Sequence, residues 1–207
     1  MPTRDHLFIY FCLSPRLKVA AYLLGPLAAW LTGSWLALAL SVLPLFADLY
    51  GAHLVRVYHP SLEEDLTEHL VSGCHTACGI HPGEHHYVFP DSSGSIDHWR
   101  LHDLPDQLKL SVLAPKRDYA VMATRDGRIF PPRQYAPPAF NHSDLGCVEI
   151  YYHDIQFVEL TNGTMRLHTV GGGSHEFPAG GAAADAALYL RQRLRDYKAL
   201  SSEVRAG

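Results

Sequence analysis

The sequence predicts a membrane-anchored α+β protein. An N-terminal transmembrane helical hairpin is followed by a mainly antiparallel β-barrel or sheet, closed by a C-terminal helix. Three observations predict it. No charged residue occurs between Lys18 and Asp48. From His85 onward, short β-prone runs alternate with turn signals such as Asp126-Gly127 and Asn162-Gly163. Near the end of the chain Ala187, Leu190, Leu194 and Tyr197 recur at three- and four-residue spacing, the stripe of an amphipathic helix.

The anchor comes first. The hexapeptide LFIYFC (7–12) is too short to span a bilayer and reads as an interfacial segment or a strand returning to the soluble part. The apolar run after Lys18 is about twice the 7–15 residues of a signal-peptide core, which argues against a cleaved leader. Thr32-Gly33-Ser34 interrupts the run, and Trp30 and Trp35 bracket the interruption. Tryptophan favours the membrane–water interface, so two short transmembrane helices, about 17–32 and 35–50, are expected to meet at a turn in one headgroup layer. Arg16, Lys18 and Tyr50 then mark the opposite interface. Each arm is about 16 residues, or roughly 24 Å, short for a hydrocarbon core near 30 Å. A single tilted helix kinked at Gly25-Pro26 is the competing arrangement. Under the hairpin, Arg4, Arg16, Lys18 and Arg56 all flank the apolar run on one side. They place both ends, and the soluble domain, on the cytoplasmic face of a bacterial inner membrane. A single pass puts that domain outside.

The anchor is assigned to residues 1–58. A juxtamembrane helix and a Cys/His-rich linker follow over 59–84, and the β domain with its helix occupies 85–207. Ser61 is placed to cap the juxtamembrane helix with Glu64 as its capping-box partner, and Gly73 to end it. Strands are expected over 85–89, 95–99, 107–113, 118–124, 128–130, 147–152, 154–160, 165–170 and 174–177. Gly171-Gly172-Gly173 reads as a tight turn, with no phosphate-binding helix after it. The closing helix is expected over about 182–200.

YAVMATRDGRIF, CVEIYYHDIQFVEL, NGTMRLHTVGGGSHEF and the terminal ALYLRQRLRDY together resemble a bacterial pleckstrin-homology-like domain over about residues 107–200. The correspondence lies at Thr124-Arg125-Asp126, at Tyr152-His153-Asp154-Ile155 and at the helix from Ala182. The resemblance implies a barrel closed by a helix, often joined to a transmembrane hairpin. The proline-rich insertion 131–146 departs from the compact pattern of the family.

One stretch carries candidate chemistry. GCHTACGIHPGEHH (73–86) holds two cysteines and four histidines, and Cys74, Cys78, His81 and His85 offer four ligands of the kind zinc takes. A structural zinc there would clamp the helix to the first strand. The spacing matches no defined zinc family, and a polar linker with free thiols accounts for the same residues; that reading stands ahead. Catalytic and other cofactor-binding sets are absent from the sequence: there is no G-x-S-x-G, P-loop or H-E-x-x-H. Asp97-His98 and His153-Asp154, as strand neighbours, point to opposite faces. A net charge of -4 without a basic run gives no support for a nucleic-acid partner, and none is expected. The expected function is non-enzymatic. A membrane-anchored accessory protein would recruit a membrane-protein or oligomeric partner, or sense a ligand, at the bilayer. The alternatives are a membrane effector of the anti-phage type with a ligand-sensing barrel, and a metal-dependent hydrolase on His81, His85 and His86.

Overall fold

The structure, a computed structural model, describes residues 3–81, 83–129, 146–178 and 180–206. The proline-rich insertion falls outside these residues, apart from Gly146. The chain is α+β and divides into two compact units. A helical unit comprises Met1–Glu64, Ser93–Gln107 and Arg128–Asn141. A β unit comprises Asp65–Ser92, Leu108–Gly127 and His142–Gly207.

The helical unit begins with α1 (Thr3–Leu13), so residues 7–12 are helical and not a strand. Ser14 ends it, and α2 (Pro15–Thr32) leaves at a bend of 89°. Pro15 at the first helical position lacks only an N–H that would be unpaired there. Gly33 adopts φ 60° as the C-cap, the left-handed conformation that costs glycine little. The short α3 (Trp35–Leu40) then returns along α2, and Gly25 permits that return, because a Cβ there would overlap Ser41. After a break at Ser41-Val42, α4 (Leu43–Cys78) runs unbroken for 36 residues. It supplies residues 43–64 to the helical unit and 65–78 to the β unit.

Two expectations change here. No helix starts at Ser61: α4 continues through Pro60, and Ser61 Oγ donates back to the Tyr58 carbonyl at 2.9 Å beside the proline. The second arm of the hairpin is also not one helix over 35–50. Among the described residues no single helix is long and apolar enough to cross a membrane, although α1 and α2 pass that test as a bent pair. The core of the helical unit gathers Ile9 and Cys12 of α1, Ala52, Leu54 and Val55 of α4, and Ile96 and Leu101. Gly51 makes the packing possible, since a Cβ there would strike the Phe8 carbonyl and Cys12.

The β unit holds two open antiparallel sheets. In the first, β1 (Tyr87–Ser93), β2 (Gln107–Pro115), β3 (Tyr119–Arg128) and β4 (Gly146–Tyr151) lie in chain order. Pro90 is tolerated because β1 is an edge strand. β2 is buried along most of its length, as a strand covered on both faces is. β3 pairs antiparallel with β4 from Tyr119↔Tyr151 to Thr124↔Gly146. In the second sheet, β5 (Ile155–Thr161), β6 (Thr164–Thr169) and β7 (Ser174–Phe177) form a meander. Asn162 (φ 52°) and Gly163 (φ 79°) make the tight turn of the β5–β6 hairpin. Helix α5 (Gly181–Ala206) lays Ala183, Ala186, Ala187, Leu190 and Leu194 into one core with Phe89, Ile150, Tyr152, Met165, Leu167 and Phe177. Arg191 Nε adds a 3.1 Å bond to the Val158 carbonyl.

Among the described residues neither sheet closes into a barrel. Asp126-Gly127 is not a hairpin, because β3 runs straight through both residues. Gly127 serves packing instead: a Cβ there would lie 2.8 Å from Leu66 Cδ1 and 3.3 Å from Leu70 Cδ1. Nor is 95–99 a strand. The segment is a chain of turns, held by Ile96 N–H to the Leu104 carbonyl (3.0 Å) and Leu101 N–H to the His98 carbonyl (2.9 Å).

Candidate functional site

The hairpin formed by α2 and α3 presents an apolar surface outward. None of the described side chains of α2 is buried, and Leu23, Leu24, Leu27, Trp30 and Leu31 are all exposed. Across the turn Trp35 and Leu36 continue the surface, and Val42, Leu43, Leu45 and Phe46 extend it into the start of α4. Trp30 and Trp35, at 80% and 74% exposure, flank the Gly33-Ser34 turn. A contiguous apolar face of this kind on a soluble monomer marks a surface that something else covers.

Polar groups converge at the foot of the hairpin. Lys18 near the start of α2 lies 3.5 Å from Asp48 on α4. Arg16 is exposed beside it, and Tyr50 packs edge-on against Phe8 at 5.0 Å. Asp48 is buried, as are Cys12 and His98, and a donor atom from each lies within 4.8 Å of the other two. Both Asp48 oxygens are 3.2 Å from His98 Nε2. The Arg100 N–H donates to His98 Nδ1 at 3.2 Å, so the ring proton sits on Nε2 and points at the carboxylate. His98 therefore pairs with Asp48, fifty residues away, and not with its neighbour Asp97. A second buried histidine, His59, sits nearby in sequence on α4, its Nε2 2.8 Å from the Pro105 carbonyl.

This arrangement sets the chemistry of Cys12. Burial pushes its thiol up to about 12, the Asp48 charge and a hydrogen bond to that carboxylate add to the rise, and Lys18 partly opposes it. A thiol so placed stays protonated at neutral pH and is no nucleophile. The His98 lone pair is engaged by the Arg100 N–H and does not face the sulfur, so the trio is not a Cys–His dyad. Its donors are instead those of a ligand set.

Among the described residues, the stretch 73–86 does not bring its four candidate zinc ligands into one donor set. Cys78 is joined to Cys147 in a disulfide, which takes its sulfur out of thiolate ligation. Cys74, one helical turn earlier, is buried, and burial raises its thiol against the opposing charge of Arg125, whose guanidinium lies over Gly73. His81 is exposed, and its backbone N–H donates to Glu84, which in turn pairs with Lys116. His85 lies against Tyr87 and Tyr189, at centroid distances of 4.7 and 5.5 Å. His75 meets His86 edge-on at 4.7 Å, and burial followed by the His86 charge lowers its pKa. Cys74, Cys78, His81 and His85 are thus not gathered into one donor set: Cys78 is in the disulfide, His81 and His85 lie in different surroundings, and Cys74 is a free buried thiol. Among the described residues the only group assembled with metal-ligand geometry is Cys12, Asp48 and His98.

The sequence held a signal for that trio. Asp48 and Lys18 are the isolated charges bounding an apolar run, and Cys12 ends an apolar hexapeptide. Lone ionisable groups in such surroundings need partners. His98 carried no comparable mark. No protein-family model matches the chain, and neither a curated protein nor a solved structure matches it.

Proposed function

We propose that this chain is a membrane-attached binding protein. The α2–α3 hairpin embeds in the bilayer, and the β unit recruits a partner or senses a ligand at the membrane surface. The observation that carries the reading is the exposed apolar face from Leu23 to Phe46, with tryptophans at its tip and Lys18, Arg16 and Tyr50 at its foot. Such an arrangement matches the depth profile of a bilayer, apolar in the middle and aromatic or basic at the edges. α2 is about 27 Å long at 1.5 Å per residue, enough to carry the apolar face into the hydrocarbon core between its basic foot and its tryptophan tip.

The β unit supports the pleckstrin-homology-like reading. It has a run of antiparallel strands, the Tyr152-His153-Asp154-Ile155 turn leading into the final sheet, and a closing helix. The side chain of Tyr152 is buried in that turn, and its hydroxyl donates to the Lys116 carbonyl at 2.9 Å. A role in binding fits a Cys12–Asp48–His98 trio whose thiol is not an activated nucleophile.

Sidedness rests on two opposed arguments. Basic residues around the hairpin favour the cytoplasm, whereas a disulfide persists in oxidising compartments. We place the β unit on the oxidising side, because charge bias is statistical and disulfide formation needs an oxidant. Alkylation of the protein in intact cells tests this. Two reactive thiols after denaturation, Cys12 and Cys74, support it, and four overturn it.

Membrane attachment is tested by flotation of the full chain with phosphatidylcholine vesicles. The chain is expected to float and to stay bound in high salt. Leu23→Asp with Leu27→Asp and Leu31→Asp is expected to leave it at the bottom of the gradient. A wild-type chain that remains monodisperse and unbound without detergent overturns the reading.

A further inference from the structure

We infer that Cys12, Asp48 and His98 form a binding site for a divalent metal ion of the zinc class, which fastens the foot of the hairpin.

The three donors come from α1, from α4 and from the turns between β1 and β2, segments remote in sequence and gathered within the helical unit. Around a tetrahedral zinc with bonds of about 2.1 Å, donors stand about 3.4 Å apart. The carboxylate and imidazole are already at 3.2 Å, and all three donor atoms lie within 4.8 Å of one another. To reach that spacing no donor pair has to close by more than about 1.4 Å.

The donor types select the ion. A thiolate and an imidazole disfavour calcium and magnesium, which take oxygen ligands, and favour zinc and its neighbours in the first transition row. Charge agrees with this choice, since one thiolate and one carboxylate neutralise a divalent cation. On binding, the Cys12 S–H proton leaves to solvent and a metal–sulfur bond forms. The His98 proton moves from Nε2 to Nδ1, freeing Nε2 to ligate, and the Arg100 N–H contact at Nδ1 is given up.

Lys18 is the competitor. Its ammonium, 3.5 Å from Asp48, is the cation that balances this carboxylate without metal, and its flexible stem lets it withdraw to the surface. All three ligands are buried, so an ion there ties α1, α4 and the β1–β2 turns together inside the helical unit, its fourth position left to a further ligand such as water. It does not depend on the membrane reading, because metal binding and flotation are read by separate experiments.

The test uses the full chain in detergent, stripped with a chelator and titrated with cobalt(II) alone, then with zinc. Binding at one cobalt per chain is expected, with a thiolate-to-cobalt charge-transfer band in the near ultraviolet that zinc abolishes. The band should persist in Cys74→Ser, which removes the only other free thiol, and vanish in Cys12→Ser and His98→Gln. X-ray absorption of the zinc-loaded wild type needs no variant. It should show one sulfur at about 2.3 Å and nitrogen or oxygen for the remaining ligands. The inference is overturned by a folded wild type without the band, by a band that survives Cys12→Ser or is lost in Cys74→Ser, or by a zinc shell without sulfur.

Discussion

The two units of this chain differ in how much apolar surface they expose and in the polar groups they bury. In the β unit, leucines, phenylalanines and alanines fill the core, and charged pairs such as Arg166–Glu176 lie outside. In the helical unit the exterior carries Leu23, Leu27, Trp30, Trp35 and Phe46, while Asp48, His59 and His98 are inside. Ser111 is the single buried polar side chain of the β unit among the described residues. The first arrangement is that of a unit in water, and the second leaves apolar area for something else to cover. The second arrangement is what the proposed bilayer attachment of the helical unit would require. Where the exterior is apolar, specificity inside falls to hydrogen bonds and charge, since another leucine would not tell core from surface.

That contrast can be broken or sharpened by experiment. The largest effect is expected in the β unit. Cys78→Ser with Cys147→Ser opens a loop spanning 69 residues and costs about 4 kcal/mol by chain entropy. Urea unfolding followed by amide hydrogen exchange should show this loss in β2–β6 and leave the exchange of α1 and α2 unchanged. Gly51→Ala comes next, in the helical unit. Its new Cβ meets the Phe8 carbonyl and Cys12, and backbone yields less than side chain, so about 3 kcal/mol is expected. Exchange protection should fall in α1 and hold in β5 and β6.

Acid should weaken the β unit by a smaller amount through His75. Burial, then the neighbouring His86, lowers its pKa in the folded state below the ordinary 6.5. The neutral ring is thus the favoured form in the fold. Its contribution is complete above the unfolded value and is lost as pH falls from 6.5 toward the depressed folded value. His75→Gln is expected to flatten that part of a stability–pH curve, and an unchanged curve refutes the assignment. Arg166→Ala should do least. Its pair with Glu176 joins side chains 46% and 56% exposed across β6 and β7, so a change within about 0.5 kcal/mol is expected in thermal unfolding.

Local chemistry was legible where it acts locally. Asn162-Gly163 announces its hairpin because only certain residues take positive φ at both turn positions. The α5 stripe is written in its own spacing, and Trp30 and Trp35 flag the turn between them. Asp126-Gly127 carries the same dipeptide signal and misleads, because that glycine answers to the Leu66 and Leu70 side chains of a helix sixty residues earlier. Pro60 and Ser61 read as a helix start, yet packing on both sides carries α4 through them. Cysteine pairing was beyond reach for a similar reason. Four cysteines permit several connectivities, and only the fold brings Cys78 to Cys147 while leaving Cys74 apart. The buried trio stands between these cases. Two of its members are conspicuous in the sequence, and the third, His98, is one histidine among fourteen.

The Cys78–Cys147 bond also changes what a cut in the backbone means. Every peptide bond between those two residues lies inside a covalent ring, the proline-rich insertion included. A protease that nicks the ring once leaves a single molecule that keeps its mass on a non-reducing gel and falls into two pieces only when thiol is added. Arg133 within the insertion offers trypsin such a bond. A chain severed there therefore keeps its two parts joined.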